Sequence, residues 1–434
     1  MTLAPSRPAA GADAPARGAG PALRRCFGEA AERIAGEHWN TRPLLVRAAD
    51  RAAEGGRASV HDLLSPADVD ELLGPRALRT PFFSLVQDGT PLPRSSYTRR
   101  AVAGNQQLAD LPDTDRVAAA HAGGATIVLQ ALHRTWPALQ TFCSQLAADL
   151  GHQCQVNVYV TPPGAQGFKP HHDTHDVVVL QVDGRKHWTI HPPAVELPLK
   201  SQPSTQLGPD PVGGRPPAID TVLEPGDALY LPRGWLHSAR TTEDRSIHLT
   251  VGLLATTWAD VLTDAVASAG VADVALRRAL PLPGAPGAAD GVPDEEVAGF
   301  RAAAQRWLDA LDDDAVRRLV ARRRSGAVPA EPVGVLAQDE AARTLAEGTA
   351  LRPRRGVRSS LVPAGEGVDL VLDDRRVTFP GWLRPALEHV LAAPRTSAAD
   401  LAAAGVGVDV PDALVVLRRL LRERVLLPTA GEPR

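Results

Sequence analysis

After Gly151 the chain changes texture to short β-rich runs separated by turn residues, and this stretch restricts the possible fold more than any other. The runs are QVNVYV at 155–160, DVVVLQV at 176–182, HWTIH at 187–191, AIDTVLEPGDALYL at 218–231 and SIHLTVGL at 246–253. Strands this short, with turns between them, indicate a sandwich or a barrel. Inside the fourth run, Pro225-Gly226-Asp227 is a plain turn signal.

Helical periodicity flanks the β-rich stretch. Leu23, Phe27, Ala30, Ile34 and Trp39 fall at helical intervals and predict an amphipathic opening helix over 23–39. A second helix starts at Ser65-Pro66 and runs to Leu73, because proline suits a first helical position, where an N–H has no partner to lose. A third is expected within 126–150, ended by Gly151. From Thr257 to about Glu347 the helical pattern returns, interrupted by a Pro- and Gly-rich loop at 280–293. The remainder reads strand (368–372), strand (377–379), helix (382–391), helix (397–403), helix (411–423), strand (425–427), an order that suits a small winged helix. The expected class is α+β, in four parts: a flexible tail over 1–22, a barrel domain over 23–256, a helical domain over 257–350 and a winged helix over 357–434. The helical part carries enough apolar surface for a homodimer interface.

Bulk properties narrow the setting. With 434 residues, 44% of them hydrophobic and 22% charged, the chain can bury a full core. A formal net charge of -3 supplies no global field for capturing nucleic acid or anionic membrane. Arg418, Arg419, Arg422 and Arg424 cluster near the last helix, but Leu417, Leu420 and Leu421 give it an ordinary buried face, so a solvated arginine side is expected before a phosphate contact. The three cysteines, Cys26, Cys143 and Cys154, are scattered and lack CxxC spacing, which argues against a disulfide framework and fits a reducing cytoplasm. No stretch approaches the roughly 18 apolar residues of a membrane helix. Residues 1–22 lack the apolar core of a secretory signal.

The chemistry concentrates in KPHHDTHDVVVLQVDGRKHW, residues 169–188. On a strand, residues two apart share a face, so His171 and Asp173 would present an imidazole and a carboxylate to one point while His172 points away. His237, in LPRGWLHSA at 231–239, can complete a two-histidine, one-carboxylate face. Such a face leaves adjacent positions open, which is how non-haem iron(II) takes both an organic acid and O2. Asp173 and His175 have the same spacing, so geometry alone leaves His171 and His175 as alternatives. Lys186 follows thirteen residues after Asp173, beyond a turn at Gly184. A lysine buried near a metal needs an anionic partner, and the far carboxylate of 2-oxoglutarate would be one.

The runs NVYVTPPGAQGFKPHHDTHDVVVLQVDGRKHW, EPGDALYLPRGWLHSA and SIHLTVGL, with RTPFFSLVQDGTPLPRSSYTR upstream, resemble the JmjC-type cupin oxygenases of the ribosomal oxygenase group. The motif detail covers roughly 23–255. The resemblance implies a double-stranded β-helix (cupin, jelly-roll) core followed by a helical dimerisation region and a C-terminal winged helix. It implies iron(II) held by His171, Asp173 and His237, which chooses His171 over His175, and 2-oxoglutarate paired with Lys186. It also places Asn157 and Tyr159 near cosubstrate and target, with O2 as co-oxidant and a protein substrate, ribosomal protein among the possibilities. His248, at period two with Thr250 and Gly252, faces the barrel interior in that alignment. Where histidine-hydroxylating members carry a pocket serine after the HLT run, this chain has Gly252, which disfavours a histidyl target. Two rival readings share the motifs: a hydroxylase of a peptide natural product or its precursor, and a non-catalytic cupin regulator that works through the winged helix.

Overall fold

The computed structural model describes residues 18–53, 60–282 and 292–429. The chain divides into two compact units, Met1–Ala255 and Thr256–Arg434. No helix among the described residues is long and apolar enough to cross a membrane.

The first unit contains β1 (Leu44–Val46), β2 (Phe83–Gln87), β3 (Thr90–Pro91), β4 (Thr98–Ala103), β5 (Gln106–Pro112), β6 (Thr126–Leu129), β7 (Gln153–Thr161), β8 (Asp176–Asp183), β9 (Lys186–His191), β10 (Ile219–Leu223), β11 (Ala228–Leu231), β12 (Leu236–Thr241) and β13 (Ser246–Leu254). Eight of them form one antiparallel sheet in the order β1-β11-β8-β13-β7-β6-β2-β3, and β10-β9-β12 form a second sheet of three. β4 and β5 make a separate hairpin.

The pleat of the large sheet separates two environments. On β7, Val156, Val158 and Val160 join the main apolar core, as do Ile247, Leu249, Val251 and Leu253 on β13. That core also takes Phe142 and Leu146 from the helix Pro137–Leu150. The alternate residues Tyr159, Thr161, His248 and Thr250 face a cavity instead. β8 is buried on both faces: Val178, Leu180 and Val182 belong to the main core, and Val177 and Val179 to a second cluster with Trp188 and Ile190 of the small sheet. This explains why DVVVLQV reads as a continuous apolar run without alternation. Each fully buried Val or Leu contributes roughly 1.5–3 kcal/mol, so a one-residue slip of β13, which would turn its core residues to the cavity face, is prohibitive.

Several expectations need correcting. The opening helix is not continuous over 23–39: Pro21–Phe27 is α-helical, Gly28 then takes φ 56, and the path continues through a 3-10 turn and a short α turn into the π-helical Ile34–His38. A residue at that φ cannot extend a right-handed helix, yet Leu23, Phe27 and Ile34 still reach the core. Of the tail expected over 1–22, residues 1–17 lie outside the described residues, and Pro21 and Ala22 are already helical. The helical stretch within 126–150 begins as β6, whose four residues are all buried between β7 and β2; the helix starts only at Pro137. An apolar run as short as Ile127 to Leu129 cannot be told from a helix segment by periodicity. The capped helix Pro66–Leu73 is as expected, with Ser65 and Asp68 closing a reciprocal capping box.

The second unit begins with the helices Trp258–Ala272, Asp294–Ala310, Asp313–Ser325 and Val335–Thr344. Most of the loop expected at 280–293 lies outside the described residues. Next come β14 (Leu351–Pro353), β15 (Ser359–Ala364), β16 (Gly367–Leu372) and β17 (Arg376–Pro380), the helices Arg384–Ala392, Ala398–Ala403 and Val410–Arg422, and β18 (Leu426–Pro428). β15-β16-β17 form one sheet and β14-β18 another. Val416, Leu417, Leu420 and Leu421 of the last helix pack in this unit's own core with Leu370, Leu387 and Leu401.

Candidate metal centre and cavity

The ligand segments are joined before any side chain is considered. His171 N donates to His237 O at 3.1 Å and His237 N to His171 O at 2.8 Å, an isolated antiparallel bridge. Gly234 N donates to Asp173 O at 3.1 Å. The expected regular strand through His171 and Asp173 is therefore absent: β8 begins only at Asp176, and one bridge aligns the pair. The extended backbone still turns both side chains to the same side, and His172 goes the other way, buried, with Nε2 3.1 Å from Gln202 O.

Together the three side chains form a group that could hold a metal ion. One ligand atom from each of His171, Asp173 and His237 lies within 4.8 Å of the others, and His237 Nε2 is 3.8 Å from Asp173 Oδ2. Each histidine uses Nδ1 on a backbone carbonyl, His171 on Lys169 O at 2.8 Å and His237 on Trp235 O at 3.0 Å. If Nδ1 carries the proton, as those contacts require, the Nε2 lone pairs are free for an ion. Burial, followed by the charge of His171, lowers His237 to about 4, so the imidazole stays neutral. Burial pushes the Asp173 carboxyl up, but the neighbouring histidines, His237 first, outweigh it and the carboxyl lies below its ordinary range. A neutral imidazole beside an ionised carboxylate is the state a divalent cation needs. His175 is outside the group; its Nδ1 lies 3.2 Å from Asp176 O.

A network not anticipated from the sequence supports these segments. Asp176, fully buried, accepts from Tyr230 Oη at 2.7 Å and from Arg233 N at 3.1 Å. Arg233 also donates to Asn40 Oδ1 at 2.9 Å, and Asn40 N donates to Tyr230 Oη at 3.2 Å. The network ties the start of β8 to the 232–234 turn that leads into His237. Its only sequence signal is an aspartate at the head of an otherwise apolar strand.

The metal group opens into a cavity of about 80 Å³ lined by Thr161, Lys186, Trp188 and His248 at its inner end. Lys186 is 3% exposed, and among the described residues its only hydrogen-bond partner is Thr161 Oγ1 at 3.1 Å. Burial lowers its ammonium to about 7. His248 stacks on Tyr159 at 5.0 Å and meets Trp188 edge-on at 5.5 Å. Burial and then the Lys186 charge push His248 well below its usual value. His248 Nδ1 and Trp188 Nε1 are buried without a partner. A buried cation with one hydroxyl beside it, next to two unsatisfied ring nitrogens, is costly unless an anion with several acceptors enters.

Tyr159 lines the cavity as expected, and burial raises its phenol far above the ordinary range. Asn157 does not line it: its Oδ1 accepts from Ala131 N at 3.0 Å, holding Ala131 at φ 52. Asn157 thus supports the turn after β6. Gly252 is also outside the lining, and a Cβ there would meet Gln155 Cγ and His175 Cε1 at 3.1 Å.

Comparison with known proteins agrees with this geometry. Residues 132–261 match the JmjC domain family. The chain is similar to Ribosomal oxygenase 1 of Homo sapiens, 34% identical over 255 residues, covering 56% of this chain and 36% of the relative. It is also similar to the bifunctional lysine-specific demethylase and histidyl-hydroxylase NO66 of Drosophila persimilis, 44% identical over 117 residues, covering 26% of this chain and 16% of the relative. The chain thus spans about a third of the length of the Ribosomal oxygenase 1 relative, and less of the other. Among solved structures, the Escherichia coli ribosomal oxygenase YcfD in complex with cobalt and 2-oxoglutarate shares the fold, with a TM-score of 0.50, 19% identity and coverage of 92% of this chain and 98% of that one. The JmjC cupin fold expected from the sequence is therefore present.

Proposed function

We propose that the JmjC domain is an iron(II)- and 2-oxoglutarate-dependent oxygenase that hydroxylates an amino-acid side chain in a protein, with a ribosomal protein as the favoured substrate class. The observation that carries this reading is the pairing, in one cavity, of the His171, Asp173 and His237 group with the buried and under-partnered Lys186. The residues fit both groups. Iron(II) would be held by Nε2 of both histidines and by the Asp173 carboxylate; 2-oxoglutarate would reach Lys186 with its far carboxylate.

When bound, iron and cosubstrate supply the oxidising power, and the protein supplies position. Lys186 and Thr161 fix one end of the cosubstrate, which sets its opposite end toward the metal group. Val177, Val179 and Leu231 keep the cavity walls dry. Phe168, 37% exposed and edge-on to both Tyr159 and His171, stands at the entrance, where a target side chain would pass. His248 remains neutral and offers Nδ1 to the cosubstrate end of the cavity.

The remaining assignments rest on the same reading. The elements within 357–434 are read as a winged helix. Trp258, Leu262 and Val266, four residues apart on one helix and 73%, 54% and 54% exposed, suit a homodimer interface. A cytoplasmic setting fits the three free cysteines.

The test is turnover of 2-oxoglutarate to succinate with Fe(II) and a ribosomal-protein fraction, together with proteomics of the host with and without the gene. A gene-dependent mass gain of about 16 Da on one ribosomal-protein residue is expected. Absence of both succinate and any such gain would refute the reading.

A further inference from the structure

The second unit holds a cavity of about 210 Å³ where the 354–358 turn, the β16–β17 turn and the end of the last helix meet. Arg354, Arg358, Arg375 and Arg424 line it together with Asp373, Asp374 and Glu423. The charges are not evenly matched. Arg358 pairs with Asp373 at 2.8 Å, and Arg375 takes both Asp374 at 2.7 Å and Glu423 at 2.9 Å. Arg419 adds a second contact to Glu423 at 3.0 Å. Every carboxylate of the cavity is thereby engaged, and neither Arg354 nor Arg424 forms an ion pair among the described residues. Arg354 Nε donates to Glu331 O at 2.6 Å, which orients the guanidinium and leaves its terminal nitrogens uncommitted.

Two further observations point to a ligand. Arg424 follows the C-cap of the helix Val410–Arg422 with φ 57, the left-handed position where glycine is the usual residue. An arginine there is held at a conformational disadvantage, so its side chain has work beyond ending the helix. Burial, followed by the charge of Arg424, lowers Arg354 against the opposing charge of Glu331, so the two cations repel across the cavity.

We propose that Arg354 and Arg424 form a binding site for a phosphate group of a small molecule. Two guanidiniums match the charge of a phosphate dianion and its tetrahedral oxygens, where a single carboxylate would leave one cation unpaired. Asp373 and Asp374, 52% and 71% exposed at the rim, repel an extended polyanion, which favours a free phosphate compound over a nucleic-acid strand. The rival account is that Arg424 serves only the carbonyl end of the helix dipole.

The full chain is titrated calorimetrically with inorganic phosphate and a nucleoside monophosphate at constant ionic strength, with chloride as the control. Saturable phosphate binding is expected, weakened at least tenfold in Arg424→Gly and in Arg354→Gln and unchanged in Arg384→Gln, whose ion pair with Glu388 lies outside the cavity lining. Arg424→Gly relieves the backbone, so its unfolding midpoint should equal or exceed that of the parent while binding is lost. The helix-dipole account requires the reverse: a lower midpoint with phosphate response unaltered. No saturable response in the parent chain, or an oligonucleotide binding more than tenfold tighter than its monomer, would overturn the small-phosphate assignment.

Discussion

The two ends of the JmjC cavity satisfy their polar groups in opposite ways. At the metal end the protein has already completed its part: both imidazoles rest on backbone carbonyls, the two ligand segments are hydrogen-bonded to each other, and Asp176, Tyr230 and Arg233 brace the turn between them. At the inner end it has not: Lys186 has one hydroxyl partner, and His248 Nδ1 and Trp188 Nε1 have none. Stability and function therefore coincide at the first end and conflict at the second. A group that is braced without its ligand can be removed only at a cost, whereas a group left unsatisfied for a ligand destabilises the empty fold.

The strongest test of the contrast is His237→Ala. Groups that merely support a metal ligand are worth about 10–100-fold in affinity, so loss of a ligand should weaken Mn(II) binding by more than about 100-fold in calorimetry, with succinate formation falling in step. Next is Lys186→Met. Breaking a charged pair with a bound carboxylate costs about 2–5 kcal/mol, so 2-oxoglutarate affinity should fall at least about 30-fold. The same change should raise the stability of the ligand-free protein by about 1–4 kcal/mol, measured by urea unfolding. Loss of both affinity and stability would show that the inner end is braced like the metal end.

A smaller effect is a pH dependence. The Lys186 ammonium sits at about 7 in the fold against an ordinary 10.5, so between those values the unfolded chain binds a proton that the ligand-free native state lacks. Stability from this group therefore increases as pH rises above about 7, and the full penalty applies below it. Between pH 7 and 9 the parent should gain roughly 2 kcal/mol relative to Lys186→Met in urea unfolding. Equal slopes would remove the basis for an under-partnered cation. The smallest effect is expected for Tyr230→Phe, which removes one hydrogen bond to Asp176. We expect about 1 kcal/mol lower stability and roughly tenfold weaker Mn(II) binding, with KM for 2-oxoglutarate unchanged. A shift in that KM would mean that the bracing network extends to the inner end.

The site was legible in the sequence to the extent that its residues lie close along the chain or follow a turn. His171 and Asp173 share a short segment, and Lys186 follows a glycine turn that leads into β9. β7 and β13 were legible because their apolar residues alternate, and β8 because Val177 to Leu180 form a continuous apolar run. β6 was misread because three apolar residues after Thr126 carry no period, and the opening helix because a lone glycine does not announce its φ. Asn157 was assigned to the cavity by the resemblance of the NVY run, which carries no record of local contacts, and the Ala131 amide captures the carboxamide.

Composition and pattern determined that this chain would build a β-rich core flanked by helices, because burial of alternate or continuous apolar residues is encoded locally. They also determined which side chains could hold a metal. The spacing left His171 and His175 as alternatives and the resemblance chose His171; only the tertiary structure brought His171, Asp173 and His237 within reach of one another and let Asp176 reach Tyr230 across 54 residues of chain. The physical reason is that a coordination group and a buried polar network depend on the distances between strands that are neighbours in space, and no local preference of the backbone records those distances.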